Sequence, residues 1–558
     1  MFYVTFFSLY RLESRNHQRK CSYTKDPYHL NHKFTYNWHV KEKKPLIIFH
    51  YLRLTMKEKI IFWLGVDLTH FCLSWSLKKQ IDADFYAIVD ITNKPRQFFQ
   101  NQKLVNFANT WFFFDHIKNS NKSVDMDYLI NFEKKYNIDL WTLAINERMF
   151  YRFFTFHKFS RNEILSILES ECKLFERVLD EVSPNYFITK IPSRHHHELF
   201  YRLCKARGIK ILMLAQSRIG HRSIITESTK KFDSSEKYLD LELPGRSLED
   251  LQNFLRSQNY LKTIKKYLSD TGNPLIENLR AGIQYLISEN KEIDTQYYYS
   301  GKTKIKVVLS VIKWMISGKY RQMFIDKNLK KDISLSTPFV YFPMGVDMEE
   351  TLLIGAPFHT NQTEIIRHVA KSVPIGFKIY VKENAGQVTR YWRRVSEYYD
   401  ILNIPNVEFI HPSYDSVNLL NKCALVITIN GSSGFEASVH GKPVIVFSDT
   451  FYSILPSVYH IKNITDLSNV IRTSLCNKID YTIIDRFIKW LELNSINFDR
   501  FGFISRYNNF FYRGGRYFNI EIKESVMEEF LQKNESILEE LAHEHVKKIN
   551  WYKNQNYF

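Results

Sequence analysis

Cysteine is scarce in this chain of 558 residues: six, at positions 21, 72, 172, 204, 423 and 476, with no C-x-x-C pair. No zinc or dithiol redox spacing can be read from them, and scattered single thiols fit a reducing, cytoplasmic setting. Glycine and proline are also few, 18 and 15, about half the usual share. So few turn residues argue against an all-β fold and exclude collagen-like or linker-rich designs. No apolar run reaches the roughly 18 residues of a membrane-spanning helix. The longest candidates, Leu46-Ile-Ile-Phe49 and Ile60-Ile-Phe-Trp-Leu64, are strand-sized. The opening Met1 to Arg11 lacks the basic segment and small-residue cleavage site of a signal peptide, so none is expected. No internal repeat with a period of about 20 to 50 residues is present.

What the chain does have is the balance of a folded protein: 44% hydrophobic, 15% aromatic and 24% charged residues. Its length predicts two to four domains. Lys and Arg number 77 against 59 Asp and Glu, a formal charge of +18. That excess points to anionic partners: nucleic acid, a membrane surface or phosphorylated substrates. Nucleic acid is the weakest of these, because the basic residues are spread out and no recognised binding module appears. Residues 1–55 stand apart, with ten Lys/Arg against three Asp/Glu and five histidines. They read as a basic, poorly ordered arm. Met56, ahead of the first sharp strand signal, is a candidate start of the globular fold.

Strand signals at Ile60 to Val66 and Phe85 to Asp90 flank a helix through Lys79, which makes a βαβ unit. The stretch 126–184 reads as helical, with Ser160-Arg-Asn-Glu163 as a capping box for a helix ending before Pro184. Strands at Tyr186 to Thr189 and Ile209 to Leu214 follow, separated by a helix that closes at Gly208. Between 226 and 335 the strand signals stop, and helices are expected at Leu251 to Tyr267, Pro274 to Ser288 and Lys302 to Lys331. The last of these, with Trp314, Tyr320 and Phe324 interleaved among its lysines, suits either anionic lipid or a solvated face over a core. A second alternating array begins at Phe339. Its strands fall at 339–343, 377–382, 407–410, 424–429 and 443–447, and its helices at 361–373, 390–402, 415–422 and 433–440. The tail 480–558 reads as helices, the last from Ile522 to Asn550.

The most informative motif is Thr428-Ile-Asn-Gly-Ser-Ser-Gly-Phe-Glu-Ala437, followed by Gly441-Lys-Pro-Val-Ile-Val-Phe447. It sets a small turn between a buried strand and a helix, where unpaired N–H groups and the helix dipole favour an anion. Gly431 and Gly434 permit close backbone approach, and Asn430, Ser432 and Ser433 add polar groups. Glu436 is placed to accept hydrogen bonds from ribose hydroxyls. An ordinary turn, with a serine cap and a first-turn Glu offsetting the dipole, explains the same residues.

This stretch, together with Tyr341-Phe-Pro-Met-Gly-Val-Asp-Met-Glu-Glu-Thr351, Val381-Lys-Glu-Asn384 and Pro405-Asn-Val-Glu-Phe-Ile-His-Pro412 with Ser416, resembles the capsular polysaccharide synthesis proteins. Bacterial β-Kdo transferases, glycosyltransferases of the GT-B type, are among that family's relatives. The resemblance covers roughly residues 339–472. It implies two Rossmann-like doubly wound α/β domains facing a cleft, the C-terminal one binding a nucleotide sugar and the N-terminal one admitting the acceptor. By that resemblance the donor-binding residues are Glu349, Lys382, Glu383, Asn384, Arg394, Asn430, Gly431, Ser432, Ser433, Gly434 and Glu436. Asn384 stands where the family commonly has a histidine that contacts the donor phosphate. It cannot carry charge, so either Lys382, Arg390, Arg393 or Arg394 compensates, or the donor differs, or activity is lost. Met348 likewise replaces the family's usual proline before Glu349.

Glycosyl transfer needs a base near the acceptor hydroxyl and a cationic or dipolar group for the departing phosphate. Asp67 and His70 follow the first strand directly, at the end where open α/β sheets bind ligands. Asp67 is the preferred base and His70 the next, although an Asp there also suits an N-cap. Arg218, also at a strand end, is a candidate anion contact. His195-His-His197 reads as a solvated helix start, since consecutive helical residues diverge and no metal is implied. Asn146-Glu-Arg148 and Trp141 read as packing residues.

The expected organisation is a basic arm 1–55, an acceptor domain 56–225, a helical insertion 226–335, a nucleotide-sugar domain 336–475 and C-terminal helices 476–558. The expected function is a glycosyltransferase moving a sugar from a nucleotide-activated donor to a capsule-type polysaccharide or glycolipid. Such a protein would work in the cytoplasm, peripherally at the inner face of an anionic membrane, with no cofactor. The alternatives are a CDP-alcohol phosphotransferase of the teichoic-acid type and a non-catalytic polysaccharide- or nucleotide-binding protein.

Overall fold

The computed structural model describes residues 57–92, 94–117, 123–153, 157–257, 303–512, 514 and 519–555, with 283, 286 and 287. The arm 1–55, Leu46 to Phe49, and most of the helices expected over 251–267 and 274–288 lie outside the described residues. Every described element belongs to one compact unit, Lys57–Phe558.

The first half builds a six-stranded sheet from β1 (Glu58–Gly65), β2 (Ala83–Asp90), β3 (Asn109–Phe112), β4 (Tyr186–Lys190), β5 (Lys210–Gln216) and β6 (Ser223–Thr226), in the order β3-β2-β1-β4-β5-β6. All neighbours are parallel except β6, which returns antiparallel along β5. Because β1 is covered on both faces, its sequence is continuously apolar. Ile60, Phe62 and Leu64 enter one core, Ile61 and Trp63 the other. Helices α1 (Thr69–Gln80), α2 (Arg161–Val182) and α3 (His195–Ala206) connect the strands. Ser160 and Glu163 close the expected capping box on α2, and α3 ends before Gly208 at φ +72°. The helical stretch read over 126–184 is three helices, Met126–Tyr136, Leu140–Ile145 and α2.

A 25-residue helix, α4 (Lys304–Asn328), leads into the second sheet. Its strands are β7 (Phe339–Pro343), β8 (Lys378–Lys382), β9 (Val407–Ile410), β10 (Leu425–Thr428), β11 (Val444–Val446) and β12 (Val458–His460). All are parallel, in the order β12-β11-β10-β7-β8-β9. The second sheet is wound by α5 (Gln362–Ser372), α6 (Val395–Leu402), α7 (Ser433–Val439) and the helices Ser416–Lys422 and Leu467–Cys476. The helix expected over 390–402 starts five residues late, because Tyr391 and Trp392 both take left-handed backbone, φ +56° and +61°. Ahead of them runs a 3-10 turn, Ala385–Arg390.

Two Rossmann-like α/β layers therefore carry the molecule, as the GT-B-like expectation has it. The tail then does more than follow the second sheet. Helix α8 (Tyr481–Asn494) packs on the second core through Phe487 and Trp490. Helices α9 (Arg500–Phe511), α10 (Glu524–Lys533) and α11 (Glu535–Gln555) return to cover the first sheet, α11 lying along α1. Asn534 divides the single last helix expected from sequence into α10 and α11. The β5–β6 hairpin joins the second core through Ala215, Ile219 and Ile224, which carries its tip to the other half.

Candidate functional site

In an open α/β sheet, ligands bind outside the carboxyl ends of the strands, where strand order reverses. Here β7 to β9 run to one side and β10 returns to the other side of β7, so the second sheet reverses between β7 and β10. The loop after β7 holds Met348 and Glu349, and the turn after β10 holds Asn430 to Ser433 and then Glu436 on α7. The two loops are tied together. The Asn430 amide donates to the Thr351 carbonyl, and the Gly431 N–H donates to Thr428 Oγ1 at 3.2 Å. The Tyr452 hydroxyl donates to the Gly431 carbonyl, and its ring lies where a Gly434 Cβ would stand. Ser432 precedes α7 without a side-chain cap bond.

Glu349 and Glu436 are half-buried, and burial pushes both carboxyls above their ordinary range. Glu350 adds to the rise at Glu349, while Arg390, Arg218 and Arg148 oppose it; at Glu436 Arg218 alone opposes. Arg218 comes from the first half, exposed at the β5–β6 hairpin tip with left-handed backbone, φ +65°. Ser217 fixes that turn, donating to the Arg222 carbonyl at 2.9 Å. Arg148 reaches across as well, its Nε donating to the Met348 carbonyl at 2.5 Å, and Met348 is itself left-handed at φ +72°. Asn146 Nδ2 donates to the Pro357 carbonyl at 3.2 Å. Asn146 and Arg148 thus join the halves, which the sequence left as packing residues, while Trp141 is 39% exposed. The narrow cleft beside them is lined by Glu147, Arg148, Arg194, His195 and Leu353.

The second strand-end group is spent internally. Glu383 is fully buried and accepts from Arg393 Nε at 2.8 Å, from the Tyr398 hydroxyl at 2.9 Å and from the Asn384 N–H at 2.6 Å. Arg393 completes the network with Asp347 at 2.6 Å, so it braces the β7 loop. The Asn384 side chain donates to the Met344 carbonyl at 3.2 Å and accepts from the Gly386 N–H at 2.9 Å. Lys382 Nζ donates to the Pro412 carbonyl at 3.2 Å. Arg390 and Arg394 are exposed, and of these Arg390 acts on Glu349.

The first sheet reverses between β1 and β4. Asp67 stands there, accepting from the Thr69 N–H at 3.2 Å and pairing with Arg500 of α9 at 3.4 Å. Burial alone would raise its carboxyl, but Lys190, Arg500 and His70 outweigh it and hold it well below the ordinary range. His70 lies 1% exposed with neither ring nitrogen partnered, and burial depresses it to about 3. The two candidate bases thus share a strand end, but His70 sits beneath it in the core.

The three consecutive histidines correct the sequence reading outright: His195, His196 and His197 are buried, not solvated. Aromatic packing at the β4–α3 junction encloses them, with His197 stacked on Trp63 at 4.3 Å and His196 on Phe113 at 4.4 Å. Each has its own polar partner: His195 binds Glu147 at 2.8 Å and Glu171 at 3.0 Å, His196 binds Asp90 at 3.1 Å, and His197 binds Thr189 at 2.7 Å. Burial alone would lower His195, but Glu171 and Glu147 raise it to about 10, so it is an imidazolium between two carboxylates. Glu171, His195 and His196 lie close enough to hold a metal ion. Their hydrogen bonds to Glu147, Glu171 and Asp90 account for the same geometry without one. Lys190 escaped the sequence, and the pairing of Glu147 with His195 did as well, because the partners lie far along the chain, with no local spacing to mark them.

Comparison with known proteins bears on the second half. Residues 250–456 match the sequence model of the capsule polysaccharide biosynthesis protein family, a segment that begins earlier than the motifs suggested. No curated protein matches the chain. Among solved structures, KpsC of Thermosulfurimonas dismutans, a β-Kdo 2,4 transferase, is 12% identical, with 55% of this chain and 79% of that one aligned at a TM-score of 0.28. The UDP-GlcNAc 2-epimerase of Methanocaldococcus jannaschii is 11% identical over 78% of this chain and 99% of its own, at 0.24. The fold class rests on the chain's own strand order. Over residues 250–456, which carry both loops of the β7/β10 crevice, the chain has the sequence pattern of the capsule polysaccharide biosynthesis proteins.

Proposed function

We propose that the protein is a glycosyltransferase of capsule-type polysaccharide assembly. In this reading it moves a sugar from a nucleotide-activated donor in the β7/β10 crevice to a polysaccharide or glycolipid acceptor from the first half. The observation that carries it is the Arg148 bond to the Met348 carbonyl beside Glu349, together with the electrostatic reach of Arg218 to Glu349 and Glu436, at loops of the segment that bears the family pattern. The two arginines offer positive charge to a departing phosphate, and Asn430, Gly431, Ser432 and Ser433 offer polar groups beside them. Lys382, Glu383, Asn384, Arg393 and Gly434 shape the loops around the donor. Asp67 serves as the base once Arg500 releases it; His70 takes no part. No cofactor is needed, and a peripheral position on an anionic membrane suits a lipid-linked acceptor.

A panel of CMP-, UDP-, GDP- and CDP-linked compounds in a thermal-shift assay tests the donor site. A ligand at a hundredfold excess over its Kd adds about 2.7 kcal/mol to the folded state. One nucleotide class is expected to raise the melting temperature, and Arg218→Ala or Glu436→Ala to abolish the rise. No response to any nucleotide overturns the reading. The product then separates the chemistries, because a glycosidic bond marks this enzyme and a phosphodiester marks an alcohol phosphotransferase.

A further inference from the structure

Helix α4 exposes an unusual face. Ile305, Leu309, Ile312, Ile316, Tyr320 and Met323 are each between 49 and 70% exposed. Successive members stand three or four residues apart, so they form one stripe along the helix, about 27 Å long at 1.5 Å per residue. The opposite face is committed to the second half of the protein. Ile325 is fully buried, Arg321 donates to the Tyr391 and Trp392 carbonyls at 3.1 and 3.0 Å, and Gly318 lets Tyr391 approach so closely that a Cβ would meet its ring at 3.1 Å. The C-terminal half of the helix is therefore fixed to the protein with its apolar stripe outward. An exposed apolar patch of this extent marks an interaction surface.

Charge decides the occupant. The helix carries five lysines and one arginine against a single acidic residue, Asp326. On a helical wheel Lys306 and Lys313 fall on one flank of the stripe and Lys319 on the other. Two such helices pairing through the stripe would set lysine against lysine with almost no acid to offset them. An anionic bilayer answers both features, taking the apolar side chains into the acyl boundary while the lysine amines reach the headgroups. No helix among the described residues is long and apolar enough to cross a membrane. We propose that α4 lies in the surface of an anionic lipid bilayer and docks the protein there, apolar stripe down. This surface gives a place in the fold to the membrane position in the proposed function, and its test reads lipid binding alone, apart from nucleotide binding or transfer.

Co-sedimentation with vesicles of phosphatidylcholine alone, and of phosphatidylcholine with a third phosphatidylglycerol, tests it. The full chain is expected to bind the anionic vesicles preferentially and to lose binding as salt rises. Leu309→Asp with Ile316→Asp should lower the partition coefficient by about tenfold or more, with no change in melting temperature. Lys313→Glu with Lys319→Glu should remove the preference for anionic lipid, by about tenfold. Ile316→Trp supplies an independent readout, a blue shift of its added emission on the same vesicles. Unchanged partition in both double variants overturns the proposal. So does a fall in melting temperature with the aspartates, which would mean that the stripe covers the protein's own core, or a dimer of the parent chain that the aspartates dissolve, which would mean that a second copy is its partner.

Discussion

Arg218 is the residue on which the crevice turns, because it is the counter-ion that Glu349 and Glu436 share across the two halves. Burial makes each carboxylate costly; Arg390 and Arg148 help Arg218 at Glu349, while at Glu436 the one guanidinium at an exposed hairpin tip offsets only part of that cost. The sign follows directly. A carboxyl whose folded value is raised holds its proton more tightly when folded, so its presence costs nothing below the unfolded value near 4.5 and destabilises increasingly as pH rises through the window above it. Glu436→Gln, which has no charge to bury, should melt together with the parent at about pH 4 and above it at pH 7. Thermal melts across that range check it. A gain that is constant with pH would mean that the carboxylate is not destabilised by burial. A site residue whose removal stabilises the fold is common where function demands strain.

At the scale of elements, Gly434 sets two known effects against each other. It lies in α7, where alanine is favoured over glycine by roughly 1 kcal/mol. Yet a Cβ there would run into the Tyr452 hydroxyl oxygen and stand 2.9 Å from its ring, and Tyr452 is buried with its hydroxyl donating to the Gly431 carbonyl. Overpacking of this kind costs about 1 to 3 kcal/mol, so the clash wins. Gly434→Ala is expected to lower stability in urea melts despite its better helix propensity and to weaken the nucleotide response by displacing the turn. Parent-like stability would mean that Tyr452 yields freely.

The same scale explains what the sequence could show. β1, β4, β5, β7, β8, β9, β10 and β11 are apolar runs because helices cover both faces, and that pattern is local. β3 exposes Asn109, β6 is Ser-Ile-Ile-Thr and β12 is Val-Tyr-His, each too mixed in polar and apolar residues to carry a period. The polar turn after β10 was visible because strand, small residues and helix follow one another directly. The partners that complete it were not visible. Arg148 meets Met348, and Arg218 meets Glu436, only because the chain folds two halves together, and nothing in either local sequence records the other.

At the scale of the whole molecule, the chain's last helices stabilise its first strand. Leu538, Leu541, Ala542 and Ile549 of α11 are buried in the same core as Ile60, Phe62, Leu64 and Phe71. Arg500 of α9 reaches Asp67 at the end of β1. The first half therefore completes one face of its sheet only when the end of the chain has been made, while its other face is covered by its own helices. Leu541→Ala makes the consequence measurable. Truncating a fully buried leucine costs about 2 to 5 kcal/mol, through lost burial and the cavity left behind. Hydrogen exchange locates the damage. Amides of β1 and β2 should lose protection, although they lie more than 400 residues from the substitution, while those of β7 and β10 keep theirs. Loss confined to α11 itself would mean that the tail is an appendage on a self-sufficient domain. Loss in β1 would mean that the strand end that carries Asp67 is set in place by the end of the chain.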